Sequence, residues 1–292
     1  MTKNIASPGK TKALLREHGL SLKKSLGQNF LIDAAVLDRI TEVLQLSSGD
    51  GVLEIGPGIG ALTQQLARRA DRVVAVEIDE RMVKVLRCLF ADEERVTVIH
   101  EDFLKVDLND LISEQFKPGQ RVTVAANLPY YITTPILLKL VHSGLSFEKI
   151  VVMVQKEVAE RIAASPGDKN YGSLSIAVQY YAHASTALTV PKTAFLPNPK
   201  VDSAVLALVM RPDPAVEVAD EDFFFKVVRN AFKQRRKTIY NNLSRNLLPN
   251  VDKPVLMACF ENSGIDPKRR AETVSLREFA ALSDELLPLA RH

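Results

Sequence analysis

The chain has 292 residues, 46% of them hydrophobic and 25% charged, as in a globular protein of one large domain or two at roughly 150 residues each. Its 2 Cys, Cys88 and Cys259, stand far apart, which argues against a disulfide framework or a Cys-based zinc site and fits a reducing cytoplasm; no apolar stretch is long enough to span a bilayer, and Met1-Thr2-Lys3-Asn4 opens without the apolar core of a secretory signal. The formal net charge of +3 says little, but its distribution is uneven.

Residues 1–32 carry six Lys/Arg (Lys3, Lys10, Lys12, Arg16, Lys23, Lys24) against one acid, Glu17. Residues 33–46 follow as an amphipathic helix, with Asp33 as N-cap and Val36, Leu37, Ile40, Val43 and Leu44 as its apolar stripe. From about residue 50 to 155, short β-branched runs alternate with stretches of helix length such as 60–70 and 79–90. The runs are Val52–Ile55, Val73–Glu77, Val96–Ile99, Val122–Ala125 and Ile150–Val154, continuously apolar as parallel strands covered on both faces require. The alternation predicts an α/β, doubly wound parallel sheet. A further buried strand is read at 204–210, then the breaker Arg211-Pro212-Asp213-Pro214, then only helical patterns. The predicted division is therefore a basic segment 1–32, an α/β domain 33–214 and a small all-helical domain 215–292.

The helix starting near Asp222 has a basic side (Lys226, Arg229, Lys233, Arg236, Lys237) and an apolar side (Phe225, Val228, Phe232, Ile239). Residues 223–245 hold seven Lys/Arg and no acid. Two basic segments on a nearly neutral chain suit a polyanionic partner, although a charge block is also what a solvated surface carries.

Glu54-Ile55-Gly56-Pro57-Gly58-Ile59-Gly60 joins the first run to the next helix, and its glycines allow a tight turn and close ligand approach. Glu77 ends the next strand, where an acid accepts hydrogen bonds from ribose hydroxyls, and Asp102 follows the third, where a carboxylate can accept from an adenine amino group. Gly56, Gly58 and Ala61 also satisfy the dinucleotide fingerprint, so an NAD-dependent oxidoreductase competes on this loop, as does a structural turn with no ligand. Glu54 favours a methyl donor, whose sulfonium is cationic and which has no pyrophosphate.

Asn127-Leu128-Pro129-Tyr130 follows the fourth run of the sheet. The Asn127 side-chain oxygen and the Leu128 carbonyl can each accept one hydrogen of an exocyclic amine, leaving its lone pair aimed at a methyl group; Pro129 holds the loop and Tyr130 can stack on a base. The bland reading is a strand-terminal turn with a hydrogen-bonding Asn. In Phe195-Leu196-Pro197-Asn198-Pro199-Lys200-Val201-Asp202-Ser203 two prolines stiffen an extended path. There Phe195 can be a second aromatic wall and Lys200 can reach a phosphate, or the segment is a connector with Phe195 in the core.

These motifs resemble the ribosomal RNA adenine dimethyltransferase family, in particular its bacterial small-subunit (16S) branch. The match runs through most of the chain and adds Gly27-Gln28-Asn29-Phe30-Leu31, which is hard to interpret from the residues alone. The resemblance implies a Rossmann-like class I methyltransferase domain followed by a small helical domain. It implies S-adenosylmethionine as co-substrate and no metal, with Asn29 and Leu31 contacting the donor, Gly56 at its methionine end, Glu77 on the ribose and Asp102 near the adenine amine. Asn127 would be shared by donor and target. The implied substrate is a pair of adjacent adenosines in the 3′-terminal hairpin loop of 16S rRNA in an immature small subunit, each receiving two methyls. The sister enzymes acting on 23S rRNA share the catalytic loops, so chain length and the basic C-terminal region favour 16S. A ribosome-assembly or RNA-binding factor whose methylation is secondary is the alternative of another class. With no coiled-coil pattern, a monomer is expected.

Overall fold

The computed structural model describes residues 5–20 and 28–290. Lys3, Lys23, Lys24 and Gly27 of the basic N-terminal segment lie outside them, as do residues 291–292. The chain divides into two compact units, Met1–Ala159 with Ala184–Met210, and Glu160–His183 with Arg211–His292.

The first unit opens with α1 (Pro8–Glu17), started by Pro8 and capped by the Ser7 hydroxyl, which accepts from Lys10 N. Its Thr11 and Leu15 are buried, and the Ile5 amide donates to Gln64 Oε1 at 2.9 Å, so the described part of the basic segment packs on the domain. After β1 (Phe30–Leu31) comes α2 (Ala34–Leu44), where Asp33 Oδ1 accepts from the amides of Ala35 and Val36. Leu37, Ile40 and Leu44 of its stripe are buried, worth roughly 2 kcal/mol each against exposure.

The predicted runs form β2 (Gly51–Ile55), β3 (Arg72–Glu77), β4 (Val96–His100), β5 (Val122–Asn127) and β6 (Lys149–Gln155), with α3 (Ala61–Leu66), α4 (Glu80–Leu89), α5 (Leu108–Gln115) and α6 (Thr133–Val141) between them. Beyond β6 the chain continues as α7 (Lys156–Ala163), α8 (Ser173–Gln179), β7 (Ala182–Val190), β8 (Phe195–Leu196) and β9 (Ser203–Met210). Among the described residues the main sheet runs β4-β3-β2-β5-β6-β9-β7. The first five strands are parallel and β9 is antiparallel to β6. The sheet winds outward in both directions from β2 and β5, so the crevice where strand order reverses opens between their carboxyl ends. Register fixes what meets there: Ile55 pairs with Val76 on one side and Ala126 on the other, and Glu77 pairs with His100.

The elements α1, β1, α7, α8, β7 and β8 were not read from the sequence. β7 alternates buried and exposed residues and is rich in polar side chains, so it lacks the apolar run of its neighbours. β1 and β8 make a separate two-stranded sheet, Phe30 opposite Leu196 and Leu31 opposite Phe195, and the Ile32 amide extends it to Ala194 O at 2.9 Å. That pairing joins the Gln28-to-Leu31 and Phe195-to-Ser203 motifs.

In the second unit the described elements after Met210 are helices: α9 (Glu221–Ala231), α10 (Ile239–Asn246), α11 (Lys253–Asn262) and α12 (Leu276–Ala290). This unit also takes in residues 160–183, which a linear division at 215 assigns to the first domain. The reason is aromatic packing: Tyr180 lies 5.3 Å from Phe224 and 5.2 Å from Phe225 between ring centroids, and Tyr171 and Ile176 join the same core.

The basic helix is shorter than its periodicity predicts. It is capped by Asp220, ends at Ala231, and only Lys226 and Arg229 lie on it. Lys233, Arg236 and Lys237 lie in the following turn, all exposed. The Asn242 side chain stops the helix by donating to Ala231 O (2.6 Å) and Gln234 O (3.1 Å), supplying carbonyls that a continuing helix would have bonded.

Candidate active site

A cavity of about 1220 Å³, mouth included, opens at the carboxyl ends of β2–β5. Its wall includes Asn29, Leu31, Glu54, Gly56, Gly58 and Glu77, and further round Asp102, Asn127 to Tyr130 and Phe195. The predicted donor and acceptor residues are thus brought into one space. Lys200 is exposed and outside that wall, and the cations at 226–237 are exposed residues of the second unit.

The glycine loop is held open by positive φ at Gly56 (+65°) and Gly58 (+58°), a conformation that costs glycine little. A Cβ on Gly56 would meet no protein atom within 4 Å, whereas one on Gly58 would come within 2.9 Å of the Phe30 ring. The loop therefore leaves ligand space at Gly56 and leans on β1 at Gly58. Glu77, 6% exposed, accepts from the Gly58 amide (3.1 Å) and the Asp79 amide (2.9 Å). A carboxylate keeps further lone pairs beyond those two bonds with which to accept from a ligand. Burial raises its pKa, with the Asp79 and Gly58 amides working in the opposite direction.

Glu54 is 1% exposed, and its Oε2 has no hydrogen-bond partner among the described residues. Burial pushes its carboxyl up to about 8, with Thr63 pulling down and the Glu77 charge adding to the rise. Among the described residues the cavity wall carries four acids, Glu54, Glu77, Glu101 and Asp102, and no Lys, Arg or His. Such a wall offers no cation, among the described residues, to the pyrophosphate of a dinucleotide, while a cationic ligand would draw the raised carboxyls toward ionisation, so the set fits a sulfonium methyl donor.

On the acceptor side, the Asn127 side-chain nitrogen donates to Asn29 O at 3.0 Å, which leaves Oδ1 to accept. Leu128 N is bonded to Met153 O at 3.2 Å, and Thr133 Oγ1 donates to Pro129 O at 3.1 Å, so both ends of the loop are tied down. The Tyr130 hydroxyl bonds Ser203 Oγ at 2.8 Å, which brings the far end of the Phe195-to-Ser203 segment to the loop. Phe195 is 1% exposed and belongs to the domain core while also lining the cavity, so its two sequence readings coexist. The Leu196–Pro197 peptide is cis.

Three groups escaped sequence reasoning. Tyr131, 58% exposed, stands at the cavity mouth with Ile78 and Leu104, and its only sequence signal is adjacency to Tyr130. Gln28 Nε2 donates to Asp79 Oδ2 at 3.0 Å, and Asp79, paired with Arg81, is held down at about 2 by that guanidinium. Lys139 on α6 reaches back to carbonyls of the loop that follows Asp102.

Among the described residues no helix is long and apolar enough to cross a membrane, and no group of three or more His, Cys, Asp or Glu is arranged to hold a metal ion. Cys88 and Cys259 are free thiols.

A doubly wound sheet with an acid-lined donor cavity and an amide–proline–tyrosine loop at the switch point defines an S-adenosylmethionine-dependent methyltransferase. The family model described as ribosomal RNA adenine dimethylase matches residues 19–286, and the chain belongs to that family. It is 56% identical over 287 residues to proteins called ribosomal RNA small subunit methyltransferase A from Bacillus mycoides (strain KBAB4) and Bacillus cereus (strain AH187), covering 98% of this chain and 98% of each relative. Among solved structures, a dimethyladenosine transferase from Plasmodium falciparum aligns with a TM-score of 0.73 at 28% identity, covering 88% of this chain and 97% of that one. The 23S rRNA methyltransferase ErmE aligns at 0.67 and 27%, covering 88% and 99%. The protein is accordingly an enzyme that dimethylates adenine in ribosomal RNA with S-adenosylmethionine as co-substrate.

Proposed function

We propose that this enzyme methylates N6 of two adjacent adenosines in the 3′-terminal hairpin loop of 16S rRNA, two methyls to each, during small-subunit maturation. It acts in the cytoplasm as a monomer. The observation that carries the reading is the meeting of an acid-lined cavity, with no basic side chain among the described residues, and an Asn127 whose amide nitrogen donates to Asn29 O. Small-subunit RNA is favoured over 23S by the full-length likeness to small-subunit enzymes and by the exposed cations at Lys226, Arg229, Lys233, Arg236 and Lys237.

S-adenosylmethionine supplies an electrophilic methyl on a cationic sulfur. Asn29 and Leu31 contact it, Gly56 holds its methionine end, Gly58 shapes the turn, Glu77 accepts from the ribose and Asp102 from the purine amine. Glu54 faces its positive charge. Asn127 Oδ1 and the Leu128 carbonyl accept the two N6 hydrogens, which turns the nitrogen lone pair toward the methyl. Tyr130 stacks on the target base, with Phe195 closing the wall behind it. The methylated nitrogen is acidic enough to lose its proton to water, so the loop needs no general base. Lys200 and the cations of the helical unit bind phosphates.

Incubation with immature small subunits and labelled S-adenosylmethionine, followed by nucleoside analysis, is expected to yield N6,N6-dimethyladenosine in 16S rRNA. Its absence overturns the reading, and labelling confined to 23S rRNA moves the substrate to the other subunit.

A further inference from the structure

Lys139 has no part in any motif, yet its ammonium is fully used. Nζ donates to the carbonyls of Phe103 (2.9 Å), Leu104 (2.9 Å) and Val106 (2.5 Å), which accounts for all three of its donors. It also lies 5.5 Å from the centre of the Phe103 ring. These carbonyls belong to the loop after β4, whose first residue beyond Glu101 is Asp102. Within that loop Asp102 Oδ1 accepts from the Leu104 amide at 3.0 Å, and Asp102 O accepts from Lys105 N (2.8 Å) and Val106 N (3.2 Å). Asp102, Phe103 and Leu104 all line the cavity.

Lys139 itself sits on α6, the helix that starts three residues after Tyr130. One side chain thus joins the helix behind the acceptor loop to the loop that carries the acid assigned to the donor's purine. Removing it leaves three carbonyls without their shared donor, and the loop loses the tie that holds it to α6. Burial lowers the Lys139 pKa while the Asp102 and Asp107 charges oppose the fall, as expected for an ammonium taken into a structural site.

We propose that Lys139 is a positioning residue of the methyl-transfer reaction: by clasping the carbonyls of Phe103, Leu104 and Val106 it sets the Asp102 carboxylate where it reads the 6-amino group of the donor's purine. The inference rests on the assignment of Asp102 to that amino group.

The test is binding calorimetry with two product-like ligands, S-adenosylhomocysteine and S-inosylhomocysteine, which differ only at the purine edge: a 6-amino group beside an accepting N1, or a 6-oxo group beside an N1–H. The wild-type protein is expected to prefer the adenosyl ligand by about tenfold, one charged hydrogen bond's worth. Lys139→Met keeps the length and volume of the stem and removes the ammonium. It should erase most of that preference by weakening the adenosyl ligand about tenfold while leaving the inosyl ligand within about twofold. Lys139→Gln retains a donor for up to two of the carbonyls, perturbs the fold least, and should show an intermediate preference. In Asp102→Ala the preference should vanish, and adding Lys139→Met to it should remove nothing more. Equal weakening of both ligands in the Lys139 variants, or an unchanged preference, overturns the positioning role. A wild-type preference retained in Asp102→Ala instead overturns the Asp102 assignment, and the inference with it.

Discussion

The Asn127 side chain donates to the backbone carbonyl of Asn29 at 3.0 Å, across 98 residues of sequence. This bond orients the amide, using one N–H of its nitrogen and leaving the oxygen available to accept. It also ties the Gln28-to-Leu31 segment to the Asn127-to-Tyr130 loop, so one residue links the two segments proposed to hold the donor and the target base.

Asn127→Ala removes the acceptor and the tie together. The expected outcome is a fold unchanged by circular dichroism and a loss in turnover of about 10²-fold or more, the scale for removing one preorganised hydrogen-bonding group. Near-normal turnover in a single-turnover assay on immature subunits rejects the role.

Tyr130 separates stacking from hydrogen bonding. Tyr130→Phe keeps the ring and loses the 2.8 Å bond to Ser203, so stability should fall by about 1 kcal/mol with turnover within a few-fold of wild type. Tyr130→Ala loses the platform, and base–aromatic stacking is worth about 1–3 kcal/mol, so kcat/KM should fall about 10- to 100-fold. If the two variants are equally impaired, the hydroxyl rather than the ring face is what matters.

The parts of this molecule legible in sequence are those whose cause is local. β2, β3, β5 and β6 are continuous apolar runs because helices cover both sheet faces, and Asp33 announced α2 because an N-cap bonds the amides just after it. Glu54, Glu77, Asp102 and Asn127, read from sequence at or just beyond strand ends, line one cavity because those strands lie side by side. What escaped depends on distant partners. Phe30 meets Leu196 only in three dimensions, Lys139 bonds carbonyls 33 to 36 residues behind it, and the helical period past Ala231 continues in sequence while Asn242, from the next helix, stops it in space.

The exposed cations test the RNA surface. Lys226 and Arg229 on α9 and Lys233, Arg236 and Lys237 in the turn after it are all solvent-facing. Reversing Lys226, Arg229 and Lys233 to Glu should leave the melting temperature within about 2 °C, since exposed substitutions change stability little. RNA affinity should fall, and the slope of log K against log[salt] should shrink by about one for each phosphate that is no longer neutralised. Unchanged affinity and slope remove this face from the interface.

Glu54 makes the ligand-free protein pH-sensitive in a stated direction. Its carboxyl titrates near 8 in the folded state against an ordinary value of 4.5, because it is buried beside Glu77 with Oε2 unpartnered. Below 4.5 both folded and unfolded chains hold the proton, and its stabilising contribution is complete. Between 4.5 and 8 only the folded chain holds it, so that contribution is lost progressively, at most roughly 1.4 kcal/mol per pH unit. Above 8 it is gone. The melting temperature of the wild type should therefore fall more from about pH 6 to 8 than that of Glu54→Gln, which cannot ionise. A cationic donor has the opposite preference, for the carboxylate, so the upward shift in melting temperature produced by S-adenosylmethionine should grow over the same range in the wild type and stay flat in Glu54→Gln. Parallel curves for the two proteins would mean that Glu54 changes charge neither on folding nor on donor binding.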